Sequence, residues 1–145
     1  DYETVHASQL VADLIRQGRV KLDTSLAKNI VYHDSCYLGR YNDVYDGPRE
    51  ILKAIPGVIL KEASRSRNQG MCCGAGGGRM WIDEHPDQRV NSLRVQQLLE
   101  TKPDVIASAC PYCMTMLSDG VKEKDLSDKI QNRDVLELVA DAIVA

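Results

Sequence analysis

DVIASACPYC, residues 104–113, reads as a short apolar strand that runs out at Cys110 and gives way to a helix over residues 112–122, with Met116, Leu117 and Val121 inward. Residues 29–35 (NIVYHDS) repeat the arrangement, with β-branched Ile30 and Val31 in a strand that runs into Cys36. A helix follows from Asp46, with Pro48 in its first turn and Ile51, Leu52 and Ile55 inward, and Pro56-Gly57 stops it. Residues 58–63 (VILKEA) form another strand, and a polar loop over 64–70 delivers the chain to Cys72 and Cys73. A helix beginning near Pro86 carries Val90, Leu93, Val95, Leu98 and Leu99 to Lys102, where Pro103 closes it. Beyond the opening stretch, an extended piece near Ile130 precedes a last helix, capped by Asp134 and running through Ile143. At the other end, residues 6–17 place Leu10, Val11, Leu14 and Ile15 at helical spacing, with Gly18 just past the end.

Strands alternating with helices predict an α/β fold, a parallel sheet of βαβ units with helices on both faces. Ligands of such sheets bind outside the carboxyl ends of the strands. Cys36, the Cys72-Cys73 loop and Cys110 all fall there, so the expected site is a cysteine-lined edge at which five sulfurs converge. Residues 1–28 are expected to form a helical lead-in and residues 29–145 the cysteine-rich domain.

The segment Met71-Cys72-Cys73-Gly74-Ala75-Gly76-Gly77-Gly78-Arg79 is not ordinary core sequence. Adjacent side chains of an extended segment point to opposite faces, so Cys72 and Cys73 reach one centre only if the backbone bends sharply. The glycines permit the bend, and Gly74 and Gly76 in particular bring backbone N–H groups close to an anionic object such as a metal-sulfur centre or a phosphate. A dinucleotide loop would need glycine at position 79, where this chain has arginine.

Composition narrows the function classes. The 145 residues carry a net charge of -3 with both signs interspersed, which excludes nucleic acid as the expected partner. No apolar run approaches the roughly 20 residues of a membrane span, and no secretory leader is visible. The five cysteines are an odd number in spacing that suits metal or redox chemistry better than disulfides, which points to a reducing, cytoplasmic compartment. Starting at Asp1 rather than Met, the chain is expected to be part of a longer one, which could itself lie at the inner membrane face.

Three chemistries compete for the cysteines. Thiolates hold iron-sulfur clusters, whose potentials respond to burial and to nearby N–H donors. Four of the five would satisfy a tetrahedral zinc site, although only Cys110 and Cys113 have knuckle spacing, and zinc is also what an isolated protein could pick up in place of iron. Cys110-Pro111-Tyr112-Cys113 alone resembles a thiol-disulfide active site, but the 32 residues after it are too few for the rest of a thioredoxin-like sheet. His33 reads as a hydrogen-bonded structural residue, with ligand or proton carrier as the alternative. Arg40 and Arg79 are candidates to hold anionic charge or dock a carboxylate, against plain exposure. Trp81 and Met80 read as core or interface, and Met114 and Met116 as packing over the site.

The full pattern is Cys-x35-Cys-Cys-x36-Cys-x2-Cys, with His33-Asp34-x-Cys36 entering, Cys72-Cys73-Gly74 in the middle and Cys110-Pro111-x-Cys113 closing. Over about residues 30–140 it resembles the cysteine-rich CCG domain found in heterodisulfide reductase and in the iron-sulfur subunits of glycolate oxidase, anaerobic glycerol-3-phosphate dehydrogenase and lactate-utilisation systems. Tyr37-Leu38-Gly39-Arg40, Gly78-Arg79-Met80-Trp81 and Cys113-Met114-Thr115-Met116-Leu117 look most like iron-sulfur oxidoreductases linked to electron-transfer flavoprotein. The resemblance implies ligand roles for Cys36, Cys72, Cys73, Cys110 and Cys113 around a 4Fe-4S or non-cubane cluster. It also implies a flavoprotein or other electron-transfer subunit as partner, the remaining domains of a parent protein, and a disulfide or quinone as acceptor. In that family the domain usually occurs twice per chain, often after a ferredoxin-like segment. A single copy here implies one half of an electron-relay unit, with no catalytic residue assigned.

Overall fold

Four strands, β1 (Asn29–Tyr32), β2 (Ile59–Lys61), β3 (Val105–Ser108) and β4 (Gln131–Asp134), lie parallel in the order β2-β1-β3-β4 in the computed structural model, which describes residues 1–85 and 88–143. Five helices accompany them: α1 (Ala7–Arg16), α2 (Asp46–Ala54), α3 (Val90–Leu99), α4 (Pro111–Glu123) and α5 (Val135–Ala142). The predicted parallel α/β architecture is what the chain adopts. Ends differ in detail. The first long strand stops at Tyr32, and the helix expected to reach Lys102 stops at Leu99. Its anticipated start at Pro86 lies outside the described residues. β4 reads QNRD, with no β-branched residue, yet pairs with β3 over its whole length because α4 returns the chain to an otherwise open edge.

The strand alternation assigns two cores. Ile30, Tyr32, Val105 and Ala107 pack with Ala12, Leu52, Val135 and Leu138 from α1, α2 and α5. Val31 and Ile106 point the other way and pack with Val95, Leu98, Leu117 and Val121 from α3 and α4, together with Cys73 and Cys113. Burial on both faces explains why β1 and β3 read as continuous apolar runs.

Right-handed crossovers then dictate where a ligand sits. From β1 the chain passes through α2 to β2 on one side; from β3 it passes through α4 to β4 on the other side and across the other face. Neighbouring β1 and β3 are therefore the switch point, and the gap beyond their carboxyl ends is the natural binding position.

Asp104 registers the two central strands at their opposite ends. Its Oδ2 accepts from Asn29 N at 2.7 Å and Asn29 Nδ2 at 3.1 Å, while Asp104 N donates to Asn29 O at 2.8 Å. The backbone and side-chain hydrogen bonds from Asn29 hold this carboxyl below the usual range. A depressed native pKa contributes stability above the unfolded value and loses it as pH falls through the native one. Asp104→Ala is therefore expected to melt lower than the wild type at pH 7, with the gap narrowing below about pH 4. Thermal melts at a series of pH values check this, and a gap independent of pH would contradict it.

Candidate metal centre

The carboxyl end of β1 delivers His33-Asp34-Ser35-Cys36, and that of β3 delivers Cys110, which occupies the N-cap position of α4 with Pro111 in the first turn. Cys113 follows one helical turn later, fully buried, while Cys110 is half-buried. A hydrogen bond from Cys113, joined by the backbone N–H groups of Cys113 and Tyr112 at the helix N-terminus, holds the Cys110 thiol down at about 6.

The Cys72-Cys73 loop enters from the third direction. Gly74 takes φ +95°, a conformation closed to most side chains, and the bend lets Gly74 N–H donate to Cys72 Sγ at 3.3 Å. Gly76 N–H also faces Cys72, and Ala75 N–H faces Cys73. Gly77 and Gly78 have positive φ, whereas Gly76 does not and stands in open space. The two glycines singled out from the sequence thus act differently. A Cβ on Gly74 would lie 3.2 Å from Val90 Cβ and 3.3 Å from both Asn91 N and Met116 Cε. Gly74→Ala is expected to lose about 1–3 kcal/mol of unfolding free energy, and Gly76→Ala to stay within about 0.5 kcal/mol of wild type, as read by chemical denaturation. Equal losses in the two variants would contradict this.

These segments bring sulfurs together. Cys73 is the centre: it is hydrogen-bonded with the thiols of Cys113 and Cys72 and contacted by His33, while Cys113 reaches on to Cys110. Ligand atoms of His33, Cys73 and Cys113, all buried, lie within 4.8 Å of one another. Negative charge collects on Cys73, whose thiol is pulled far below the ordinary range by hydrogen bonds from Cys113 and Cys72. As donors in those bonds, Cys72 and Cys113 are pushed up. All five cysteines are free thiols. Cys36 is half-buried on the loop after β1, where Tyr41 N donates to its carbonyl at 3.1 Å, and it is not part of the contact chain Cys72-Cys73-Cys113-Cys110.

Two buried arginines, unmarked in the sequence reading, grip the end of β1 from opposite faces. Arg49 of α2 donates from Nη1 and Nη2 to the two carboxylate oxygens of Asp34 at 2.7 and 2.9 Å, and from Nε and Nη2 to Glu62 at 2.6 and 2.8 Å. It also stacks over Tyr32, 5.1 Å from the ring centroid. Burial opposes its charge, but the ion pairs with Glu62 and Asp34 outweigh that and raise its pKa. Asp34 in turn accepts from Arg67 N at 2.7 Å, tying the β1 loop to the loop that leads to Cys72. On the other face Arg94 of α3 donates from Nε to His33 Nδ1 at 3.1 Å and from Nη1 to Arg65 O at 2.9 Å. Burial lowers the pKa of His33, which is therefore a neutral imidazole. The inward face of α3 accordingly includes Asn91 and Arg94 beside Val95 and Leu98, and Leu93 is left 43% exposed.

Other expectations resolve simply. Arg79 pairs with Glu84, and Arg40 donates to Gly70 O at 2.8 Å. Met116 packs in the core that holds Cys73 and Cys113, and Met80 lies against it. Trp81 is 82% exposed, which removes it from the core; Tyr37, Tyr41 and Tyr112, also exposed, sit on the other cysteine-bearing segments.

A family of known proteins shares this cysteine framework: the CCG cysteine-rich domain matches residues 30–118. The chain belongs to the CCG cysteine-rich domain family. This CCG chain is 52% identical over 142 residues to a probable iron-sulfur-binding oxidoreductase, FadF, of Bacillus subtilis, a match covering 98% of the chain and 20% of that protein. It is 40% identical to EtfAB:quinone oxidoreductase of Syntrophomonas wolfei, covering 96% of the chain and 20% of that protein. One subunit of the dihydromethanophenazine:CoB--CoM heterodisulfide reductase of Methanosarcina barkeri is 42% identical, with 98% and 34% covered. The CCG chain thus spans a fifth to a third of the length of these relatives. The resemblance read from the cysteine spacing, to heterodisulfide reductases and flavoprotein-linked iron-sulfur oxidoreductases, is borne out.

Proposed function

We propose that this CCG domain holds an iron-sulfur centre on Cys36, Cys72, Cys73, Cys110 and Cys113, and relays electrons between a flavoprotein partner and a quinone or disulfide acceptor. The observation that carries the reading is the sulfur chain Cys72-Cys73-Cys113-Cys110, closed at the switch point by segments far apart in sequence, with every thiol free. The donor set fits the group: soft thiolates are what iron-sulfur clusters require, and buried His33 Nε2, without a hydrogen-bond partner, faces no competing acceptor. An iron-sulfur group bound there supplies one-electron carriage. The chain's own residues do the rest. Cys73, already stripped of its proton, and Cys110 offer thiolates, the N–H groups of Gly74, Ala75 and Gly76 stabilise negative sulfur, and Arg49 and Arg94 hold the β1 end rigid. Cys36 completes the set from the β1 loop, and the cluster is a 4Fe-4S or non-cubane centre.

Residues 29–145 make the cysteine-rich unit, with 1–28 as a helical lead-in. Trp81, Tyr37, Tyr41 and Tyr112, exposed around the cysteine segments, form the rim on which the flavoprotein or another domain of the parent protein docks. Among the described residues no helix is long and apolar enough to cross a membrane. The working place is the cytoplasm, reaching the inner membrane face through the parent protein.

Metal and acid-labile sulfide analysis, with electron paramagnetic resonance spectra, on the chain produced anaerobically with cluster assembly supported, tests the proposal. Iron with matching sulfide and a redox-active signal is expected. Stoichiometric zinc without sulfide, or a reversible Cys110–Cys113 disulfide as the only redox change, would overturn it.

A further inference from the structure

His33 and Arg94 are fully enclosed, and His33 shares by alternation the sheet face of Val31 and Ile106, against which Cys73 and Cys113 pack. His33 N donates to Ala107 O at 2.8 Å, which anchors the residue to β3. Arg94 Nε donates to Nδ1 of the ring at 3.1 Å. A guanidinium has no acceptor and keeps its protons, so Nδ1 is the bare nitrogen of the imidazole. The single proton of the neutral ring therefore sits on Nε2. That nitrogen is buried with no partner of its own, while the ring stands within 4.8 Å of Cys73 and Cys113 sulfur. A metal ligand at Nε2 would need an imidazolate, so the same geometry removes His33 from the ligand set.

The charge behind the ring points the same way. Arg94 Nη1 is satisfied by Arg65 O at 2.9 Å and Gln97 Oε1 at 3.1 Å, but Nη2 has no partner, and no carboxylate pairs with this guanidinium among the described residues. Asp34, the carboxylate whose charge it senses, has both oxygens taken by Arg49. A buried cation without a counter-charge is unfavourable, and the negative object on this face is the sulfur site.

We propose that His33 is a positioning residue whose Nε2–H donates a hydrogen bond to Cys73 sulfur, locked in that tautomer by Arg94, and that the pair raises the reduction potential of the centre. This rests on the iron-sulfur reading. A donor aimed at sulfur stabilises the more negative, reduced state, and the guanidinium behind it adds to the effect.

Two measurements decide it. The first uses the chain without metal, labelled with ¹⁵N-histidine, with His33 assigned by comparison with His33→Gln. Nδ1 is expected to resonate as a bare acceptor and Nε2 as an N–H; a protonated Nδ1 would overturn the proposal. The second uses the chain loaded with iron and sulfide, titrated electrochemically under paramagnetic resonance. His33→Leu is expected to keep its iron and sulfide but to shift the oxidised-to-reduced ratio about tenfold toward oxidised at fixed potential, about 59 mV for one electron. His33→Gln, which keeps an N–H donor near the Nε2 position, is expected to recover most of the shift. An unchanged potential in His33→Leu, or loss of iron from that variant while it remains folded by circular dichroism, would overturn the assignment. A wild-type chain that takes up no iron and sulfide would remove the iron-sulfur reading instead, and the nitrogen resonances would still decide the tautomer.

Discussion

Arg49→Met is expected to lower the unfolding free energy by about 3–5 kcal/mol, the range for removing one partner of a buried ion pair. Methionine keeps much of the side-chain volume, so the loss reports charge and hydrogen bonds more than a cavity. Arg49 is only 2% exposed and donates to Asp34, Glu62 and the Tyr45 carbonyl. The Asp34 arm dominates because that carboxylate is itself buried, whereas Glu62 is 42% exposed and its pair is screened by solvent. Without Arg49 the Asp34 charge keeps its bond from Arg67 N but no counter-charge on this face. Urea denaturation should show a lower midpoint at an unchanged slope. Adding Asp34→Asn should recover part of the loss, since the amide needs no counter-ion; an additive or worse double variant would contradict the coupling. Because Asp34 lies two residues before Cys36 and ties down the loop leading to Cys72, the variant should also bind metal more weakly than its stability alone explains.

Cys73→Ser is expected to abolish iron-sulfur loading, with bound iron reduced more than tenfold, since even changes outside the ligand set commonly weaken metal sites by about 10–100-fold. The reason is position. Cys73 is 3% exposed and stands between Cys72, Cys113 and His33, so its loss breaks the sulfur chain at the middle. Serine is nearly isosteric and should leave the fold intact, which circular dichroism checks. Iron and spectra unchanged in this variant would sink the proposed centre. Cys36→Ser makes the informative comparison. A matching loss of iron would show that the β1 loop closes Cys36 onto the other four, and retention would leave a four-thiolate site.

How much of this was legible beforehand differs from residue to residue. Each strand from 29, 58 and 104 was readable because burial on one or both faces imposes apolar, β-branched sequence, and each helix because its apolar stripe repeats near 3.6 residues. β4 was readable only as an extended piece near Ile130, since QNRD owes its strand to the edge that β3 offers rather than to its own preference. The bend at Gly74 was signalled by adjacent cysteines that must share a site. Arg94 and Asn91 were missed, although they lie at helical spacing with Val95 and Leu98, because periodicity arguments score apolar residues and treat a charged one as outward.

Sequence alone therefore determined the α/β class, the cysteine edge at the strand ends and the family, because these follow from local periodicity and from covalent spacing along the chain. Tertiary structure decided which sulfurs touch, that Cys36 stands apart from the other four, and that Arg49 and Arg94 close on Asp34 and His33 from opposite faces. Those contacts join residues 15 to 61 positions apart. The free energy that holds a buried charge or a bare ring nitrogen in place comes from partners that only the folded chain brings within hydrogen-bond reach.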